Sequence, residues 1–205
     1  MTSTDLLSQV QAVQAAPAKE RQGKKKSCSV YDLGPAEPVM ELIRPREAWI
    51  VECKYDSNVL VTRGNSALPM VDIDHCNPLG VVDPVLDMHW MEMTLGESEL
   101  NLQIRVYETA HGFRLLVENQ LLTPSGKVFR VLAKAFDCDP SYLKLCQSQE
   151  CYRARLTPRP EATYGARVCK YFGTIGSAGI SEDLAPLIQL HDERTGALLE
   201  SGELG

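Results

Sequence analysis

The segment 101–118 constrains the fold of this chain more than any other stretch of its sequence. Apolar and polar residues alternate through 101–108, which predicts a half-buried strand because successive strand side chains point to opposite faces. A tight turn at 109–112 contains Gly112, and residues 113–118 form the returning strand. The sequence therefore predicts an antiparallel hairpin, around which the rest of the fold must be built.

Patterns typical of strands and of helices lie on both sides of this hairpin. Residues 81–95 show only weak helical spacing, and the glycine-rich segment 169–179 is predicted to be a loop. The order of the elements predicts an α+β fold with a mixed or antiparallel sheet and helices packed on it. The other predicted strands are 47–53, 58–62, 69–76 and 150–157, and the predicted helices are 127–136, 141–146 and one that begins at Ser181.

The length and composition of the chain fit one globular domain. Its 205 residues are 44% hydrophobic and 23% charged, which is enough apolar material for a full core. We predict this domain over residues 30–196, between a flexible basic tail at 1–29 and a C-terminal tail at 197–205. The basic run at 19–26 is interpreted as a solvated linker rather than as an arm that contacts nucleic acid.

Net charge and cysteine content limit the classes of function. The net charge is −6, so the whole chain is not a polycation that binds nucleic acid, although a local basic groove is compatible with it. The seven cysteines, without a signal segment, predict reduced thiols in a cytoplasmic protein, and no apolar run is long enough to span a membrane. Four of the cysteines could hold zinc, but without a short Cys-x2-Cys pair buried thiols are preferred; these four are Cys138, Cys146, Cys151 and Cys169.

The acidic pair Asp72 and Asp74 is the sharpest chemical signal in the sequence. The two residues lie two positions apart in the apolar run 69–76, so a strand would point both carboxylates to the same side. Adjacent carboxylates repel each other, and a cation between them relieves the repulsion. This cation is either Mg²⁺ or Mn²⁺, as in two-metal phosphoryl-transfer sites, or an arginine in a structural ion pair.

Two groups of basic residues are candidate phosphate contacts. The turn of the hairpin places His111 and Gly112 beside Arg114, and a glycine turn with neighbouring cations can hold a phosphate. Arg153 and Arg155 alternate along the strand 150–157 and share one face. The alternatives are an ordinary exposed hairpin for the first group and an ion-pair network with the aspartates for the second.

These motifs resemble those of the archaeo-eukaryotic primase superfamily, which includes the primase-polymerases. The resemblance is based on Asp72-Ile73-Asp74 and on the later hairpin with Gly112 and Arg114. It implies an RRM-like or primase-like core, two bound metal ions and templated nucleotidyl transfer, as in DNA replication or repair, with nucleotides and DNA or RNA as partners. Asp72 and Asp74 would be the catalytic metal ligands, and the turn at Gly112 would meet the incoming triphosphate. Arg114 occupies the position at which the family has histidine.

The block 139–160 resembles a recurrent bacterial family without assigned function, and this second resemblance is the closer one. Two hypotheses follow from the sequence. In the first, the chain is a primase-polymerase-like, metal-dependent nucleotidyltransferase domain, in active, reduced or inactive form. In the second, it is a non-catalytic binding or regulatory protein whose aspartates and arginines form structural ion pairs.

Overall fold

The computed structural model of the chain describes residues 39–43, 47–53, 57–64, 67–74, 84–158 and 168–198. The predicted basic tail at 1–29 lies outside these ranges, as do the residues from 199 to the C-terminus. Ala197, which the sequence assigned to the C-terminal tail, is buried, and its carbonyl accepts a hydrogen bond from the Tyr171 amide at 2.8 Å. The folded part therefore extends at least one residue beyond the predicted boundary.

Eight strands in the described ranges form two four-stranded sheets, and every pairing between neighbouring strands is antiparallel. The predicted hairpin is confirmed as the pair β5–β6. The first sheet has the order β1-β2-β3-β7 and consists of β1 (Val39–Ile43), β2 (Ala48–Cys53), β3 (Ser57–Arg63) and β7 (Cys151–Arg155). The second has the order β4-β6-β5-β8 and consists of β4 (Met70–Asp74), β5 (Gln103–Thr109), β6 (Gly112–Val117) and β8 (Cys169–Gly176).

The described ranges also contain four helices, so the predicted α+β class is confirmed. The third helix begins with an N-terminal cap, since the Asp139 carboxylate accepts hydrogen bonds from the amides of Ser141 at 2.9 Å and Tyr142 at 3.2 Å. None of these helices has the length and apolar character that crossing a membrane requires. The helices are α1 (Pro84–Glu97), α2 (Lys127–Ala135), α3 (Pro140–Gln149) and α4 (Ala185–Thr195).

The prediction of a loop over 169–179 is wrong for most of that segment. Residues from Cys169 to Gly176 form β8, which pairs with β5 along its length. The glycine at the end of this strand has a steric role, because a Cβ atom on Gly176 would lie 2.1 Å from the Leu102 carbonyl oxygen. Glycine therefore permits the backbone at position 176 to approach the backbone at Leu102 closely. The low strand propensity of the glycines does not prevent this segment from forming a strand.

The core lies between the sheets and the helices. Every residue of β6 is buried, as expected for a strand paired on both sides. The ring of Phe129 on α2 packs against Tyr152 on β7 with centroids 4.9 Å apart. On the second sheet, the ring of Tyr107 packs against His191 on α4 at 4.8 Å. The helices therefore cover both sheets and bring polar residues of α4 onto the second one.

Two of the hydrogen bonds in the described ranges connect β4 and β6 of the second sheet with α3 and with β7 of the first sheet. The Asp139 amide donates to the Asp72 carbonyl oxygen at 2.9 Å, and Nη1 of Arg114 donates to the Arg155 carbonyl oxygen at 3.1 Å. Strand β4, which contains the acidic motif, therefore lies at the junction of the two halves of the fold.

Candidate functional site

The pairing of β4 with β6 brings the two predicted motifs side by side. In this register Asp72 lies directly opposite Arg114, and Asp74 lies opposite Gly112. Residues directly opposite each other in an antiparallel pair project from the same face of the sheet. Asp72 of the acidic motif and Arg114 of the hairpin motif are 42 residues apart along the chain, and the fold makes them neighbours.

Asp72 and Arg114 form a buried ion pair. Nε of Arg114 donates to Oδ1 of Asp72 at 2.9 Å. Only 6% of Asp72 and 4% of Arg114 is exposed to solvent. A buried carboxylate requires a partner, because burying an ion without its hydration shell costs roughly several kcal/mol. The arginine, rather than a metal ion, supplies that partner here.

The guanidinium of Arg114 also contacts the last helix. Its Nη1 atom, which donates to the Arg155 carbonyl oxygen, lies 3.5 Å from Nε2 of His191. His191 is fully buried, and its Nδ1 atom lies 3.2 Å from Oδ1 of Asp192. An imidazole protonated on Nδ1 alone satisfies both contacts, since it donates to the carboxylate and accepts from the guanidinium.

Asp192 contacts two further side chains besides His191. Its Oδ1 atom accepts a hydrogen bond of 2.6 Å from the hydroxyl of Tyr107, and its Oδ2 atom lies 3.0 Å from Nη2 of Arg105. Nη1 of Arg105 in turn lies 3.4 Å from Oε1 of Glu118. The buried polar network, as we call this set, consists of Asp72, Arg114, His191, Asp192, Tyr107, Arg105 and Glu118.

The environment of the network sets the protonation of two of its members. Burial lowers the pKa of His191, and the bond to Asp192 only partly opposes this effect. Burial raises the pKa of the Tyr107 hydroxyl, and the neighbouring Asp192 carboxylate raises it further. Both side chains are therefore neutral near pH 7, and the ionic charges of the network reside on the carboxylates and the guanidinium groups.

The remaining predicted phosphate contacts occupy different environments. His111 is exposed in the turn between β5 and β6. Arg155 is half-buried, and its backbone takes part in the junction described above. Arg153 is 1% exposed, so a phosphate has no access to its guanidinium in this structure. The structure thus brings Asp72 and Arg114 together, but it does not gather the predicted cations into an accessible cleft.

A metal ion does not fit the described donor groups. Within the described ranges, no three His, Cys, Asp or Glu side chains form a group that could hold a metal ion. Asp72, the first predicted ligand, already binds a guanidinium, whose positive charge would repel a divalent cation. The expectation of Mg²⁺ or Mn²⁺ between Asp72 and Asp74 therefore gains no support from the geometry at Asp72.

Four cysteines in the described ranges are buried free thiols. These are Cys138, Cys146, Cys151 and Cys169, the four that could have held zinc. Burial raises the pKa of Cys151 to about 11, and it also raises the pKa of Cys146 and Cys169. Because nucleophilic attack requires the thiolate, Cys146, Cys151 and Cys169 act as small apolar core residues.

Comparison of the chain with protein-family models, curated proteins and solved structures gave no match.

Sequence reasoning missed most of the buried polar network. By sequence alone, His191 and Asp192 are typical of a polar helix C-terminus, but His191 is 0% exposed and Asp192 is 4% exposed. The helical periodicity indicated that both residues are buried, because they lie on the same stripe of α4 as its apolar residues. The buried residues of this stripe are Leu187, Ile188, His191, Asp192 and Thr195. On β5 the corresponding signal was the alternation that places Arg105 and Tyr107 on one face.

The buried histidine makes the stability of the protein depend on pH. The folded state holds His191 with a lowered pKa, whereas the unfolded chain protonates this residue around its ordinary value of 6.5. The unfolded state therefore binds more protons below that value, and stability falls as the pH falls, by at most about 1.4 kcal/mol per pH unit for one group. We expect His191→Gln to reduce the loss of unfolding free energy between pH 7 and pH 5, measured by urea denaturation.

The exposed His111 provides the matched control for this measurement. His111→Gln makes the same substitution at an exposed site. Its profile of unfolding free energy against pH is measured beside those of His191→Gln and the wild-type protein. Superimposable profiles for His191→Gln and the wild-type protein would contradict the assignment of a neutral buried imidazole.

Proposed function

We propose that this chain is a non-catalytic binding protein with an α+β fold, and that its aspartates and arginines serve structure rather than metal-dependent nucleotidyl transfer. The observation that carries the proposal is the 2.9 Å bond between Arg114 and Asp72, both of which are more than nine-tenths buried. A metal ligand offers a carboxylate oxygen to the ion, and the buried Asp72 already offers its Oδ1 atom to a guanidinium.

The position of Arg114 adds a second argument. In the superfamily that the motifs resemble, a histidine occupies this place on the second strand. Here the arginine lies opposite Asp72 in the strand register and reaches its carboxylate. The residue that departs from the family's histidine is thus the one that binds the expected metal ligand. This supports descent from a nucleotidyltransferase-like domain that has lost its metal site.

A nucleotidyltransferase remains the second candidate, because one observation favours it. The β4–β6 pairing places the acidic motif beside the glycine turn, with Asp74 opposite Gly112. An active domain of this kind would need the same arrangement, with nucleotides and DNA or RNA as substrates. In that case Arg114 would have to release Asp72 when Mg²⁺ or Mn²⁺ binds.

A nucleotidyl-transfer assay separates the two candidates. The protein is incubated with labelled nucleoside triphosphates, Mn²⁺ and a set of DNA and RNA templates, beside the double variant Asp72→Asn, Asp74→Asn. We expect neither protein to form a product, and we expect calorimetry to show no Mn²⁺ binding to either one. A template-dependent product that the wild-type protein makes and the double variant does not would overturn the proposal in favour of catalysis.

A further inference from the structure

The outer face of α1 combines acidic and apolar side chains. Trp90 and Met93 are 41% and 53% exposed, although large apolar residues are usually buried. Glu97 is exposed on the same stripe of the helix, Glu92 is exposed farther round its solvent side, and α1 contains neither lysine nor arginine. We call these four residues the acidic face. An exposed tryptophan and methionine one helical turn apart form a patch of the kind that marks interaction surfaces.

The outer face of α2 has the opposite charge. Lys127, Arg130 and Lys134 recur at helical spacing and are exposed, and the helix contains no acidic residue. Val128 and Val131 lie next to them and are each 38% exposed. We call these five residues the basic face. It is a concentration of positive charge on a chain whose net charge is −6.

The charges on these two faces are not used within the described part of the chain. In those ranges, none of the five charged side chains, Glu92, Glu97, Lys127, Arg130 and Lys134, takes part in an ion pair or a side-chain hydrogen bond. This contrasts with the buried polar network, in which every charge has an opposite partner. Both faces are therefore available to an external partner.

The two faces are neighbours on the molecule. The ring of Trp90 on α1 packs edge-on against Phe136, the C-terminal cap of α2, with centroids 6.1 Å apart. A surface on which complementary patches adjoin is self-complementary about a two-fold axis that passes between them. Such an axis would bring the acidic face of each copy onto the basic face of the other.

We propose that two copies of this chain form a two-fold symmetric dimer in which the acidic face of each copy packs against the basic face of the other. The charges are complementary, and the apolar residues of both faces become buried at the centre of the contact. A nucleic acid would use only the basic face. The carboxylates of the acidic face have the same negative charge as its phosphates, so Trp90 and Met93 would stay exposed. The inference is independent of whether the chain is catalytic.

Reciprocal charge reversal tests this arrangement. One variant carries Lys127→Glu, Arg130→Glu and Lys134→Glu, and a second carries Glu92→Lys and Glu97→Lys. Sedimentation equilibrium of the full chain, from micromolar to submillimolar concentration, should show a dimer for the wild-type protein and a dissociation constant raised at least about tenfold for each variant alone. An equimolar mixture of the two variants should dimerise again, because each contact then pairs opposite charges.

Control measurements keep the result interpretable. The charge reversal Lys144→Glu, on the exposed side of α3, should leave the dimer unchanged, and circular dichroism should show that every variant is folded. A wild-type protein that stays monomeric at all concentrations would overturn the proposal. The proposal would also be overturned if the mixture of the two variants failed to dimerise. It would be overturned as well if the protein were monomeric and bound duplex DNA, and only the reversal of the basic face abolished that binding.

Discussion

Replacing Arg114 with methionine is expected to lower the free energy of unfolding by about 3–5 kcal/mol, the usual cost of removing one partner of a buried ion pair. The variant leaves the Asp72 carboxylate, only 6% exposed, without the guanidinium that lies 2.9 Å from it. It also removes the donor to the Arg155 carbonyl oxygen, one of the two bonds at the junction of the sheets. Urea denaturation at pH 7 measures the loss.

Two further variants show that the loss arises from the ion pair. Lys144→Met replaces an exposed cation on α3 with methionine and should change stability by less than about 0.5 kcal/mol. Adding Asp72→Asn to Arg114→Met removes the uncompensated charge and should restore part of the loss, so that the double-mutant cycle gives a favourable coupling energy.

The opposite outcome of this experiment has a definite meaning. If Arg114→Met kept wild-type stability and gained Mn²⁺ binding, Asp72 would be a metal ligand that the arginine covers. The non-catalytic proposal would then be wrong, and the primase-like interpretation of the motif would be favoured. Stability and metal binding measured on the same variant therefore decide between the two functions that the sequence left open.

Local features of this fold could be predicted because local physical chemistry determines them. The hairpin of β5 and β6 follows from the alternation of side chains and a glycine turn, and Asp139 at the start of α3 follows from the need of the first helical amides for an acceptor. The same reasoning predicted a strand at Asp72 and Asp74, and the structure has β4 there.

Contacts between distant segments could not be predicted in this way. The register between β4 and β6 does not follow from either strand alone, and that register decides whether Asp72 lies opposite a cation. The glycine-rich β8 was missed because its strand structure depends on pairing with β5 rather than on its own propensity. His191 and Asp192 were missed because burial of polar residues depends on partners from other elements.

The buried polar network connects elements that are far apart in the sequence. Tyr107 lies opposite Arg114 on the neighbouring strand, so Asp72, Arg114 and Tyr107 form one row across the second sheet. His191 and Asp192 on α4 close over this row from one side. Because each member meets a partner of complementary charge or hydrogen-bonding role, the network fixes the position of α4 on the sheet.

Replacing Asp192 with alanine is expected to lower the free energy of unfolding by about 3–5 kcal/mol, because one change removes the acceptor of several buried donors. The Tyr107 hydroxyl loses a bond of 2.6 Å, Arg105 loses its contact at 3.0 Å, and Nδ1 of His191 loses its neighbour. Urea denaturation at pH 7 measures the change.

The neighbouring residue on the same helix provides the control for this prediction. Glu193→Ala truncates an exposed carboxylate whose hydrogen bond to Gln189 lies on the solvent side of α4, so its cost should stay below about 0.5 kcal/mol. Tyr107→Phe should cost about 1–2 kcal/mol in the wild-type background and much less when Asp192 is already alanine. If the two substitutions were additive instead, the 2.6 Å bond between Tyr107 and Asp192 would not contribute to stability.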